Sequence, residues 1–123
     1  MVIAVGHKNL ICENEEVFGK NLREQLESES AEIWVSKNGS SDEYPCLGLL
    51  INGNDASLTF FDEDGSCFVS VGDGSDDEVI PFCDGQYEVW GNHIINKKDA
   101  IAVLMKFFID MGRSDSIMWE QLY

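Results

Sequence analysis

Four apolar runs follow one another between Ala31 and Val71, and turn chemistry separates each from the next. They are Ala31–Lys37 (AEIWVSK), Cys46–Ile51 (CLGLLI), Ala56–Phe61 (ASLTFF) and Cys67–Val71 (CFVSV). The spacers include Asn38-Gly39-Ser40-Ser41, Asn52-Gly53-Asn54-Asp55 and Asp62-Glu63-Asp64-Gly65. Gly, Asn and Asp supply the backbone freedom and local hydrogen bonds that tight turns require. Asn52–Asp55 is the strongest hairpin signal in the chain. Strands joined by tight turns pair antiparallel, so the last three runs predict a meander. Cys46–Ile51 is nearly continuous in apolar residues and is expected at the centre of the sheet. In Ala31–Lys37 the alternation puts Ile33 and Val35 on one face and Trp34 on the other.

Two helices complete the pattern. Asn14 can cap a helix running to about Ser28, with Glu15 and Glu16 in the first turn, where the helix dipole favours acids. Phe18, Leu22 and Leu26 recur every fourth residue and form its apolar stripe. Asn96 can cap a second helix, with Asp99 as a short capping-box partner. Its stripe is Ile101, Leu104, Met105 and Phe108, and Gly112 is expected at its C-terminal turn. Val2–Val5 reads as an edge or first strand, and Val79–Cys83 and Tyr87–Trp90 as short strands around Asp84-Gly85. The tail from Ser114 carries Ile117, Met118, Trp119 and Leu122, which suits docking onto the body. Trp119 among such neighbours is set for burial. The sum is an α+β fold, a single domain over residues 1–123, with an antiparallel meander and two helices packed on one face.

Charge is the second constraint. From Asn38 to Asn96 there are twelve acidic side chains and no Lys or Arg. The whole chain has 8 Lys and Arg against 23 Asp and Glu, a formal charge of −15. With 44% apolar residues there is enough to bury, which excludes a disordered acidic tail. A folded surface of one sign repels nucleic acid and anionic membranes and speeds the approach of basic proteins. The plainer reading of the charge is solubility. No apolar run approaches the ~18 residues of a membrane span, and Met1–Ile11 lacks signal-peptide form. A cytoplasmic protein is expected. Cys12, Cys46, Cys67 and Cys83 are scattered, which predicts reduced structural thiols and no zinc site.

Catalytic and cofactor patterns are missing. His7 and His93 are the only histidines, and no nucleophile or orienting acid accompanies either. Asp73, Ser75 and Asp77 have the odd-position spacing of a calcium loop. Glu78 stands where that loop needs Gly, Pro81 at position nine and Asp84 at position twelve, so a solvated acidic loop is expected instead. No phosphate-cradling glycine motif is present. The expectation is a protein that is not an enzyme, with no cofactor and no metal.

The order of elements and the C-terminal segment carry a family likeness. A first helix, a meander with acidic turns and a Gly-rich loop precede the helix KKDAIAVLMKFFIDMG. A closing motif of Ser114, Trp119, Glu120 and Leu122 follows. In these features the chain resembles the first-numbered Imm family of immunity proteins from bacterial polymorphic toxin systems. The resemblance implies an antidote that binds a cognate toxin C-terminal domain, basic and acting on nucleic acid as a nuclease or deaminase. Contacts are then expected from the acidic loops, Asp62, Glu63 and Asp64 and Asp73, Asp76, Asp77 and Glu78. Tyr87 and Trp90 are the candidate aromatic anchors. An acidic adaptor for another basic protein is the alternative, with calcium binding behind it. An exposed strand edge could also pair two copies into a homodimer.

Overall fold

The turn after Asn52 sets the register of the sheet. In a computed structural model, which describes residues 1–40 and 43–123, Gly53 takes a left-handed φ of 62° and Asn52 pairs directly with Asp55. Ser41 and Asp42 lie outside the described residues, so the end of the Asn38–Ser41 turn and one of the twelve acids are not placed. The hairpin joins β4 (Cys46–Asn52) to β5 (Asp55–Phe61). Before it come β1 (Val2–Val5), β2 (Lys8–Ile11), α1 (Glu15–Leu26) and β3 (Ser30–Ser36). After it come β6 (Cys67–Val71), β7 (Val79–Phe82), β8 (Tyr87–Trp90), a 3-10 turn at Gly91–His93, β9 (Ile95–Asn96), α2 (Lys97–Asp110) and β10 (Met118–Gln121).

The large sheet runs β10-β6-β5-β4-β3-β1-β2 with every pairing antiparallel, and β9 adds to β5. As expected, β4 is central. Two strands are additional to the sequence reading. Lys8–Ile11 folds back on β1 through Gly6, whose φ is 59°. The apolar tail docks as β10 along β6. Gly91–His93 forms a 3-10 turn before β9 begins, so His93 precedes the strand of Ile95 and Asn96 and is not part of it.

Alternation along the strands gives the sheet two unlike faces. Ile3, Val35, Leu47 and Phe60 stand in one row, with Ile33, Leu49 and Leu58 in the next. All seven are essentially fully buried. Both helices cover this face. Phe18, Leu22 and Leu26 of α1 and Ala100, Val103, Leu104 and Phe107 of α2 join the same core. Phe18 and Phe108 stack at 4.9 Å between the helices. Asn14 and Asn96 cap as expected, accepting from Val17 N–H at 2.9 Å and Asp99 N–H at 2.8 Å. The end of α2 differs from expectation. Met111, not Gly112, takes the left-handed cap with φ 55°, and Asp110 Oδ1 accepts the Gly112 N–H.

The opposite face is half covered. The β7–β8 hairpin crosses it, held by Asn52 Nδ2 donating to the Pro81 carbonyl at 2.9 Å. Phe82 and Val89 are the buried residues of that hairpin. The β5 edge is shared along its length by β6 and β9, and Ser70 fills the gap between them. Its hydroxyl accepts the Leu58 N–H at 3.0 Å and donates to the His93 carbonyl at 2.8 Å. The chain after β6 also runs very close to the 3-10 turn. A methyl at Gly72 would lie 1.8 Å from the Ile94 carbonyl oxygen, and one at Gly74 would lie 2.3 Å from that of Gly91. Glycine is the residue that permits this approach.

Candidate protein-binding face

The uncovered half of the sheet carries three aromatic side chains in a row. Trp34 pairs with Gly48, and the indole lies flat over that glycine. A Cβ at position 48 would come within 2.7 Å of two ring carbons. Phe61 is next, its ring 6.3 Å from Trp34 and tilted by 29°. Tyr44 stacks on Phe61 at 5.5 Å and 17°. Trp34 and Tyr44 remain 38% and 48% exposed, a high fraction for rings of that size. With Ala4, Ser36 and Cys46 they line a cleft of about 410 Å³. Tyr123, also exposed, extends the row. Its phenol pKa is raised, first by charge on Cys67, then by burial, with a hydrogen bond to Cys67 and charge on Tyr44 as lesser causes.

Carboxylates frame this row. Glu32 lies two residues before Trp34 on the same strand face. Its Oε2 accepts the Trp34 indole N–H at 3.0 Å and the Tyr87 hydroxyl at 2.8 Å. That bond is the first cause of a raised Tyr87 pKa, because only the neutral hydroxyl can donate it and ionisation would remove it. Glu43 accepts the Asn38 backbone N–H and Nδ2, each at 2.7 Å. The backbone bond leads in holding the Glu43 carboxyl below the usual range. Asp62 follows Phe61 directly. Asp64 accepts the Ser66 N–H at 2.9 Å, and that bond chiefly lowers its pKa.

The structure separates the acidic residues singled out from sequence into two groups. Asp62, Glu63 and Asp64 form the β5–β6 turn at one end of β5. Asp73, Asp76, Asp77 and Glu78 lie in the β6–β7 loop at the other end, about 20 Å away along a strand of this length. That loop is pinned by Gly72 N–H to the Asn92 carbonyl and by Gly91 N–H to the Glu78 carbonyl, both at 2.8 Å. Asp73 and Glu78 share a shallow depression with Asp55 and Asp99. Trp90 belongs to this second group. It pairs with Val79 beside Glu78 and is 50% exposed. Tyr87 sits at the far end of the β7–β8 hairpin, tied to Glu32. Ser75 Oγ donates to Asp77 Oδ1 within the loop. Among the described residues, no group of three or more His, Cys, Asp and Glu is placed to hold a metal ion.

Trp34, Tyr44, Phe61 and Glu32 are the site residues that sequence reasoning missed. The signal existed for Trp34 alone, whose alternation against Ile33 and Val35 already pointed it away from the helices. The basic side chains lie mostly on the other side of the molecule. Lys20 and Arg23 are on α1, Lys97, Lys98 and Lys106 on α2, and Arg113 just beyond it. Lys106 pairs with Asp110 at 3.1 Å, and the Arg113 guanidinium lies 3.6 Å from the centroid of Phe68. No helix of the described residues is long and apolar enough to cross a membrane. No family model and no curated protein matches this chain.

The four thiols are unpaired, and they differ in access. Cys12, Cys46 and Cys67 are buried, and Cys83 is half-buried in the β7–β8 turn. Burial, followed by the nearby charges of Glu43 and Cys67, pushes the Cys46 thiol up to about 11. The thiolate is the reactive form. The folded protein at pH 8 should therefore show one fast-reacting thiol, at Cys83, with Cys46 reacting only after denaturation. Mass mapping after a short iodoacetamide pulse checks this, and early labelling of Cys46 would contradict it.

Proposed function

We propose that this protein is a cytoplasmic antidote that neutralises a basic toxin domain by stoichiometric binding, with no catalytic step of its own. The observation that carries the reading is the open sheet face, where exposed Trp34 and Tyr44 and half-buried Phe61 stand near carboxylates, in a chain with no Lys or Arg between Asn38 and Asn96. Aromatic side chains are enriched in interface hot spots, and surrounding acids supply steering toward a basic partner. A toxin acting on nucleic acid needs a positive cleft for phosphate, and an acidic surface can take the place of that phosphate. The resemblance to the first-numbered Imm family points the same way. The acidic groups at the two ends of β5, with Trp90 beside the farther one, widen the field that an approaching partner meets.

The test is capture of partners from the native bacterial lysate on the tagged protein, read by mass spectrometry. One dominant partner, a basic C-terminal domain of a large exported protein, is expected. Many weak partners would replace the antidote with an adaptor. With the partner in hand, raising salt from 50 to 500 mM should slow association on the order of tenfold or more, with dissociation changing much less. A salt-independent association rate would remove steering from the account.

A further inference from the structure

We infer that the Trp34–Tyr44–Phe61 cleft receives an arginine side chain of the basic partner, stacking its guanidinium on the exposed aromatic faces. The inference rests on the antidote reading only for the identity of that partner. The first argument is the seat of Trp34. Gly48 lets the indole lie flat on the sheet, so one ring face is turned outward instead of an edge. A cation is attracted to the face of an aromatic ring, most strongly that of Trp.

The second argument is the hydrogen bond to Glu32. A carboxylate accepting the indole N–H at 3.0 Å pushes electron density into the ring and fixes its orientation. Both effects favour a cation above it. The third is the rim. Glu32, bonded to the Trp34 indole, and Glu43, next to Tyr44 in the chain, put negative charge beside the cleft, and a carboxylate retains acceptor sites beyond those already used. A planar guanidinium can stack on the rings and still donate sideways to carboxylates, which a compact ammonium cannot do as well. The volume of about 410 Å³ admits an arginine side chain with accompanying water.

Charge excludes two other occupants. A phosphate would meet the negative field of Glu32 and Glu43 and find no Lys or Arg among the lining residues. A second copy would bring another −15 of charge, and its own basic residues lie mainly on the helix side. The chain already holds one such contact internally, with Arg113 over Phe68 at 3.6 Å.

The experiment is a titration of 15N-labelled protein with acetyl-Gly-Arg-Arg-Gly-amide, repeated with the citrulline and lysine counterparts. The Trp34 indole signal is assigned from its loss in Trp34→Phe. A saturable shift of that signal with the arginine peptide is expected, weaker with lysine and absent with citrulline. Tyr44→Ala, checked for an unchanged fold by its thermal melt, should weaken binding roughly three- to thirtyfold, the range of a single cation–π contact. An equal response to citrulline would overturn the inference, as would shifts confined to the Asp73–Glu78 amides. Capture of one toxin domain that Tyr44→Ala leaves unweakened, with no Trp34 response to the arginine peptide, would sink the cleft and spare the antidote. An arginine response with no single captured partner would do the reverse.

Discussion

Replacing Gly72 with alanine is expected to destabilise the protein by about 3–4 kcal/mol, a value reserved for substitutions that force backbone apart. The added methyl would sit 1.8 Å from the Ile94 carbonyl oxygen and 3.0 Å from its carbon. Neither atom is the end of a side chain that could swing away. The exit from β6 would have to separate from the 3-10 turn. It would lose the Gly72 N–H bond to Asn92 and strain the neighbouring bond from Ser70 to the His93 carbonyl. For a domain of this size that corresponds to a fall in Tm of roughly 10–15 °C. Gly65→Ala is the control. Its φ is 86° but nothing lies within 4 Å of the added atom, so the cost should stay near 1–2 kcal/mol, that of the left-handed backbone alone. A thermal melt of the two variants decides the point. Equal losses would show that the close approach at Gly72 relaxes cheaply.

Phe60→Ala is expected to cost about 3–5 kcal/mol, the range for deleting a fully buried aromatic side chain. Phe60 is 1% exposed and joins three parts of the molecule. Its ring meets Phe107 of α2 edge-on at 6.1 Å, Phe68 of β6 at 6.4 Å and Trp119 of β10 at 6.2 Å. Trp119 is fixed in turn by its indole N–H, which donates to the Ser114 carbonyl at 2.7 Å. Few neighbours can collapse into the space, because each is anchored from a different side. Chemical denaturation should show a lowered midpoint with m nearly unchanged. A loss under 1.5 kcal/mol would mean that α2 or β10 moves in to fill the cavity.

The fold was legible where local chemistry and burial agreed. The Asn52–Asp55 turn, the apolar run of β4 and the two asparagine caps each had one physical solution, and the structure adopts it. The α+β layout followed from them. What escaped had weak local signals. Lys8–Ile11 is mostly exposed and pairs only along one edge, so no alternation marked it as a strand. The end of α2 was placed at Gly112 because glycine adopts the left-handed cap most easily. Met111 takes it instead, with its N–H bonded to the Phe107 carbonyl.

The candidate site was less legible, for a topological reason. Trp34, Tyr44 and Phe61 are separated in sequence by turns and a strand, and only the register of β3, β4 and β5 brings their rings together. In sequence, Gly48 is one small residue within the nearly continuous apolar run Cys46–Ile51. Its purpose needs the pairing with Trp34 to become visible. The acids were obvious as a composition, but their division between the two ends of β5 depends on strand length and direction. The role of Glu32 has no local signature, because it depends on an indole two residues away and a tyrosine fifty-five residues away.

The aromatic row and the acids around it are built on different parts of the chain. Trp34 and Phe61 stand on β3 and β5, the two strands flanking β4 and its Gly48, whereas the acids of Asp62–Asp64 and Asp73–Glu78 ride on connections whose exposed side chains tolerate substitution without repacking the core. Variation in those connections can retune charge and reach while the platform keeps its shape. A set of descendants could thus diverge in whom they recognise at little thermodynamic risk, changing the frame around a fixed anchor. Changes in the anchor itself would have to arrive in pairs, since any larger residue at position 48 displaces the indole above it.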